Sequence, residues 1–127
     1  MQKSPVLLVV LNINGSDERR IEAFKLYQKA FDAKNISGDF APDESGEVHI
    51  LMEINGYQFG IFPGDDYNSR GNVTCQFEFD NEDDLRKVYD ILIQGASAHT
   101  INKDFWCELH ATVTDMYGVF WSLCVPN

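Results

Sequence analysis

Apolar and polar residues recur along this chain with two different periods, and each period predicts its own kind of element. Residues 6–13 form an apolar run, interrupted at Asn12 and rich in β-branched side chains, which predicts a buried strand. Residues 18–31 instead carry apolar side chains at helical spacing, which predicts a helix with one apolar stripe packed against a sheet. The polar segment 14–17 between them supplies a turn and a helix cap.

Strands dominate the rest of the first half. Residues 36–40 predict a short edge strand, and residues 47–54 and 57–62 predict two longer strands. Asn55-Gly56 separates the longer two and predicts a two-residue hairpin, because such a turn needs positive φ at both positions. A linker rich in Gly, Asp and Ser follows over residues 63–71.

The same order of elements returns in the second half. Its predicted elements are a strand at 73–79, a helix at 82–94 that Gly95 ends, and strands at 97–101, 108–114 and 119–125. The halves also agree in detail, since Glu47-Val48-His49 and Glu108-Leu109-His110 each precede a Gly and then a Pro at similar distances. Each half alone would leave one sheet face bare, so we expect a shared, curved sheet with the helices outside.

This duplication predicts an α+β fold in a single domain over residues 1–127. Two βαβββ modules are expected at about residues 5–66 and 72–126. A ferredoxin-like duplication is the competing fold, and it lacks the second hairpin strand that each half shows here.

Alternation along the strands predicts which side chains face a cavity on the concave side of the sheet. The residues predicted to face the helices are Val73, Cys75, Phe77, Phe79, Val119, Trp121, Leu123 and Val125. The residues predicted to face the cavity are Leu8, Val10, Asn12, Thr74, Gln76, Glu78, Phe120, Ser122 and Cys124.

The predicted cavity has apolar and aromatic walls with a few polar groups, which is typical of a small-molecule site. We place Phe62 and Trp106 at its mouth, with burial of Trp106 at a domain or dimer seam as the alternative. Glu78 is either a partner for a cationic ligand or simply solvated. The candidate ligand-binding residues are Leu8, Phe62, Thr74, Gln76, Glu78, Trp106, Phe120 and Ser122.

Charge and composition limit the classes of partner that this protein is expected to bind. The net charge is −10, from 20 acidic and 10 basic residues without a basic patch, which argues against nucleic acid. The first apolar run is too short for a membrane span and no signal-peptide cleavage pattern follows it, so we expect a cytoplasmic protein. Cys75, Cys107 and Cys124 form no CxxC pair and are expected to be reduced thiols.

Three stretches resemble the vicinal oxygen chelate superfamily (the glyoxalase and bleomycin-resistance fold), most closely its PhnB-like branch. They are residues 48–56 with the following strand and Asp65-Asp66, Phe77-Glu78-Phe79-Asp80-Asn81, and Phe105-Trp106 followed by residues 114–121. The family usually has Pro-Phe-Gly where this chain has Met116-Tyr117-Gly118. The resemblance implies paired βαβββ modules that form a U-shaped sheet around a cavity, and a homodimer. It does not fix a function.

The metal enzymes of that superfamily place His, Glu or Gln on the first, fourth, fifth and eighth strands. The corresponding positions here are Leu8, Gly60 or Ile61, Thr74 and Ser122, which are not strong ligands. We therefore predict no metal and no other cofactor. A weaker alternative is a metal cluster of His49, Glu53 and His110, which lie on equivalent strands of the repeat, against ordinary hydrogen bonds for these residues.

These observations predict a metal-free protein that binds an unidentified small molecule. Catalysis is not supported, because no nucleophile–base pair is visible in the sequence. One alternative is a metal-dependent lyase or dioxygenase that uses the region of His49 and His110. Another is a drug-sequestering resistance protein, whose acidic charge and aromatic walls would suit a cationic compound.

Overall fold

Each half of the chain folds the same order of elements into a four-stranded sheet with one helix against it. The computed structural model describes residues 5–64 and 73–127, and the chain divides into two units, Met1–Asp65 and Asp66–Asn127. The predicted α+β class and the repeated βαβββ order are confirmed. Residues 65–72, which include most of the predicted linker and the Asp65-Asp66 pair of the resemblance, lie outside the described residues.

The first module has the strand order β1-β4-β3-β2. Its elements are β1 Val9–Asn12, α1 Asp17–Phe31, β2 Lys34–Asn35, β3 Ile50–Ile54 and β4 Tyr57–Phe62. Only the β1–β4 pair is parallel within this sheet. The predicted hairpin turn is confirmed, because Asn55 and Gly56 both have positive φ. The edge strand predicted at 36–40 is wrong, since the residues that pair with β3 are Lys34 and Asn35.

Arg20 holds the start of α1 inside this module. Its side chain is 1% exposed. The guanidinium donates to the carbonyl oxygens of Ile13, Gly15 and Val48, at 3.3, 2.9 and 3.1 Å. It also lies 2.6 Å from a carboxylate oxygen of Asp17, which accepts the Val48 N–H at 2.9 Å. One buried cation therefore links the end of β1, the first turn of α1 and the segment before β3.

The second module has the strand order β5-β8-β7-β6. Its elements are β5 Cys75–Glu78, α2 Glu82–Leu92, β6 Ala98–Asn102, β7 Cys107–Thr114 and β8 Phe120–Pro126. The Asn81 side chain caps α2 by accepting the Asp84 N–H at 2.9 Å. The helix buries Leu85, Val88, Tyr89 and Leu92 and packs against β7 and β8.

Alternation in β7 and β8 separates two faces of this sheet. Leu109, Ala111, Val113, Trp121 and Leu123 are buried, as expected for side chains beneath α2. The prediction for Val73 is wrong, because it is 83% exposed. The reason is local: β5 begins only at Cys75, so Val73 lies before the paired region.

Asp115 anchors the closing hairpin. The residue is 1% exposed, and its carboxylate accepts the backbone N–H groups of Tyr117 and Val119 at 2.8 and 3.1 Å. Its other oxygen accepts the indole N–H of Trp121 at 2.9 Å. Gly118 supplies the positive φ that this turn needs. The most specific stretch of the resemblance is therefore built from turn and core.

The expectation of three reduced cysteines is wrong. Cys107 and Cys124 are paired as a disulfide, with their Cα atoms 6.0 Å apart. A register irregularity between Cys107 and Leu109 displaces the start of β7 along β8, which alternation alone does not predict. Disulfides are rare in reducing compartments, so this pair weighs against the cytoplasmic location, which stays a prediction.

Thiol counting tests this pairing. We expect one reactive thiol per chain in guanidinium without reductant, from Cys75, and three after reduction. In the native protein, burial raises the pKa of the Cys75 thiol, so it stays protonated near neutral pH and should react slowly with Ellman's reagent. The Cys75→Ser variant should show no reactive thiol before reduction. Three thiols before reduction would contradict the pairing.

Candidate functional site

A cavity of about 560 Å³ lies on the face of the second sheet opposite α2. Its floor is formed by side chains of β5, β7 and β8 that alternate along the strands with those beneath α2. Its lining residues are Thr74, Gln76, Glu78, Trp106, Cys107, His110, Thr112, Phe120, Ser122, Cys124 and Pro126. The site therefore combines aromatic and disulfide walls with a polar floor.

A row of four polar side chains begins on this floor with Gln76, Ser122 and His110 and ends at Asp104 in the loop before β7. Gln76 lies opposite Ser122 in the β5–β8 register, and its amide oxygen is 2.9 Å from the Ser122 hydroxyl. The same hydroxyl is 3.0 Å from Nε2 of His110, whose Nδ1 lies 3.4 Å from a carboxylate oxygen of Asp104. His110 and Ser122 are diagonal neighbours, because Cys124 is the residue opposite His110.

Asp104 is held toward His110 by its own loop. Its second carboxylate oxygen accepts the Trp106 N–H at 3.1 Å, and its backbone N–H donates to the Cys107 carbonyl at 3.2 Å. Cys107 is in turn bonded to Cys124 on β8. The disulfide thus fastens the loop that carries Asp104 and Trp106 to the strand that carries Ser122.

The proton positions in this row are coupled. A neutral imidazole has one N–H, and the carboxylate of Asp104 favours that proton on Nδ1 of His110. Nε2 is then an acceptor for the Ser122 hydroxyl, and the Gln76 amide must turn its N–H toward the same oxygen. In the other arrangement, which agrees with the position of the Gln76 amide oxygen in the structure, Ser122 donates to Gln76 and Nε2 carries a proton. The first arrangement makes His110 a base directly beside a hydroxyl.

The first module repeats half of this row. Asp43 and His49 have the same spacing as Asp104 and His110, and Nδ1 of His49 lies 2.9 Å from a carboxylate oxygen of Asp43. Hydrogen bonds from the side chain and backbone of Ser45 lower the pKa of the Asp43 carboxyl, and His49 adds to the effect. A carboxylate beside a histidine is therefore a shared feature of the repeat.

The other half of the row is different in the first module. By strand register, Gly60 takes the place of Ser122 and Val10 that of Gln76. The Phe62 ring fills the space that a side chain at residue 60 would need, because a Cβ there would lie 2.8 Å from it. This ring packs edge-on against His49 with centroids 5.1 Å apart. Of the two equivalent histidines, His110 therefore lies beside a serine hydroxyl and His49 beside the Phe62 ring.

The structure gathers part of the predicted ligand-binding set. Thr74, Gln76, Glu78, Trp106, Phe120 and Ser122 line the cavity of the second module. Leu8 and Phe62 belong to the first module. Trp106 is 64% exposed and its ring lies 4.6 Å from that of Phe105. Ligand binding by these residues stays a prediction, as does the homodimer.

Sequence reasoning missed Asp104, the partners of His110 and the disulfide wall. A signal was present in the repeat: an Asp six residues before a His occurs in both halves. Alternation alone could not find it, because Asp104 lies in a loop before β7.

The positions at which the resemblance implies metal ligands carry few donor side chains. Leu8 and Gly60 offer no side-chain donor, and the Ser122 oxygen is already bonded to His110 and Gln76. Within residues 5–64 and 73–127, no group of three or more His, Cys, Asp or Glu side chains is placed to hold a metal ion. Glu53 faces Lys34 across the β2–β3 pair, and the alternative cluster of His49, Glu53 and His110 stays a prediction.

No helix in the described segments is long and apolar enough to cross a membrane.

Comparison with known proteins gives a clear answer for the fold only. No family model and no curated protein matches this sequence. Solved structures do match along nearly the whole chain. Protein PA1353 from Pseudomonas aeruginosa has a TM-score of 0.73 at 16% identity, over 97% of this chain and 98% of that one. The PhnB protein from Bacillus cereus has a TM-score of 0.70 at 18% identity, over 97% and 99%.

A fosfomycin resistance protein is similar in the same way. FosX from Mesorhizobium loti has a TM-score of 0.73 at 12% identity, over 99% of this chain and 94% of that one. At such identities the likeness concerns the fold. The chain has the fold of the vicinal oxygen chelate proteins, as the resemblance of its sequence predicted.

Proposed function

We propose that this protein binds a small organic molecule, without a metal, in the cavity of its second module. The observation that carries the proposal is the composition of the cavity. Trp106, Phe120 and the Cys107–Cys124 disulfide supply apolar contacts, and the polar row on its floor supplies directional hydrogen bonds. A few convergent polar groups within apolar walls are the usual means by which a pocket fixes the orientation of a ligand.

The charges favour a neutral or cationic ligand. Glu78 lines the cavity, and the chain has a net charge of −10. Trp106 and Phe120 present aromatic rings that can contact a flat or cationic group. An anionic ligand would meet repulsion from both the local and the overall charge.

The metal-dependent alternative remains worth testing because of one structural neighbour. A mutant form of FosX from Listeria monocytogenes has been crystallised with Mn(II) and 1S,2S-dihydroxypropylphosphonic acid. The donors at the corresponding positions of this chain do not support the same chemistry. A thermal-shift screen with and without EDTA, and with added Mn²⁺, separates the two proposals. Ligand-induced shifts that vanish with EDTA would contradict the metal-free one.

A filled-cavity variant tests the location. Compounds found in the screen should lose at least about 10-fold in affinity with Thr74→Trp, because the indole would occupy cavity volume. Val73→Trp is the matched control, since Val73 is the neighbouring residue, is 83% exposed and does not line the cavity. Titration calorimetry of both variants measures the effect. Equal affinities would place the ligand elsewhere.

A further inference from the structure

We propose that Ser122, His110 and Asp104 form a nucleophile, base and positioning carboxylate for acyl transfer within this cavity. The inference rests on the proposed function, because an acyl substrate must first bind there. It goes beyond that function by assigning a reaction to the polar row.

The geometry has the elements that an activated serine needs. The Ser122 hydroxyl is 3.0 Å from Nε2 of His110, within reach for direct proton transfer. Nδ1 of the same ring lies 3.4 Å from the carboxylate of Asp104, a distance that can shorten when substrate excludes water. His110 and Asp104 are about three-quarters buried, and Ser122 is 4% exposed. Side chains from one loop and two strands thus converge at the floor of the cavity.

The reaction follows in balanced steps. The Ser122 hydroxyl proton passes to Nε2 of His110 while the oxygen attacks the acyl carbon of an ester. The ester C–O bond then breaks, and the leaving alcohol takes the proton from His110. Water repeats the sequence on the acylated Ser122 and releases the carboxylic acid. The amide oxygen of Gln76 lies 2.9 Å from the Ser122 hydroxyl, so this amide must turn its NH₂ group toward the acyl group to donate to the negative charge on the former carbonyl oxygen.

Comparison of equivalent positions in the two modules indicates that the second is specialised. It retains the Asp43–His49 pair, but Gly60 replaces the serine and Val10 replaces the glutamine. Phe62 then packs on His49 and occupies the space beside Gly60. A carboxylate–histidine pair alone would be explained by the structural repeat. The added hydroxyl and amide, both on the cavity floor, are not.

The cavity also limits the substrate class. A volume of about 560 Å³ holds a small ester, and Glu78 with the aromatic walls favours one that is neutral or cationic. We therefore assign small neutral or cationic carboxylic esters as the substrate class.

Acetylation by 4-nitrophenyl acetate tests the proposal. We expect a burst of about one equivalent of 4-nitrophenol per chain, with the acetyl group found on Ser122 by peptide mass spectrometry. Ser122→Ala should abolish the burst, and His110→Gln should slow it by about 100-fold or more. Asp104→Asn should slow it by about 10-fold or more and move the pH midpoint of the burst rate, which a purely structural role would not do.

Matched controls make the outcome decisive. His49→Gln alters the equivalent pair of the first module and should leave the burst unchanged. Ser122→Cys keeps a nucleophile and should still be acetylated at residue 122, which covers the case in which Ser122→Ala does not fold. Acetyl groups found only on lysines, or a wild-type rate for a folded Ser122→Ala, would overturn the proposal.

Binding of the inert amide 4-nitroacetanilide distinguishes failure of the acyl-transfer proposal from failure of the proposed binding function. Binding without acetylation would remove the acyl-transfer proposal and keep the binding function. If neither 4-nitroacetanilide nor any screened compound binds, both proposals fail.

Discussion

Replacing Asp115 by alanine should lower the free energy of unfolding by about 3 kcal/mol. The reason is the number of donors that depend on this one carboxylate. The backbone N–H groups of Tyr117 and Val119 and the buried indole N–H of Trp121 all donate to it. Losing the acceptor leaves a buried donor on a fully buried Trp121 and frees the turn that joins β7 to β8.

Urea denaturation measures this effect. Asp39→Ala is the control, because Asp39 is an exposed loop residue, and it should change stability by less than about 0.5 kcal/mol. A similar small change for Asp115→Ala would mean that the hairpin does not depend on the carboxylate. Asp115→Asn should fall between the two, since one amide oxygen can still accept while its NH₂ group faces other donors.

Replacing Arg20 by methionine should also lower the free energy of unfolding by about 3 kcal/mol. Methionine fills a similar volume but removes the donors to Ile13, Gly15 and Val48. The Val48 and Ile13 carbonyls are in buried surroundings, so water cannot readily replace the guanidinium there. Asp17 is about one-third exposed and can be solvated, so its lost ion pair adds little.

Arg86→Met is the matched control for this substitution. Arg86 is half exposed and lies 3.6 Å from Glu82 on the surface of α2. Surface ion pairs of this kind contribute under about 0.5 kcal/mol, so the control should barely change the urea midpoint. Equal effects of the two substitutions would contradict the structural role of Arg20. Arg20→Lys should not rescue it, because one ammonium group cannot reach all these acceptors.

The repeat made the order of elements predictable. Local signals such as Asn55-Gly56 and the alternation around Trp121 depend only on neighbouring residues, and the structure places them as expected. Strand ends were less predictable, because pairing decides them: Val73 has strand-like neighbours but lies before β5 begins. The Arg20 network could not be predicted either, since its partner Val48 is far along the chain.

The contacts of the polar row could be predicted from the sequence only in part. Alternation correctly placed Gln76 and Ser122 on the same face, but the contact with His110 depends on the β7–β8 register. The approach of Asp104 depends further on its loop and on the Cys107–Cys124 pair, which the register irregularity allows. Each step adds a long-range condition that spacing along the chain does not contain.

NMR mapping tests whether the cavity of the second module is the functional site. The wild-type protein, labelled with ¹⁵N, is titrated with the compounds that raise its melting temperature. We predict that amide shifts will concentrate at Gln76, His110 and Ser122. Shifts concentrated around His49 and Phe62, or spread evenly over the chain, would contradict this location of the site.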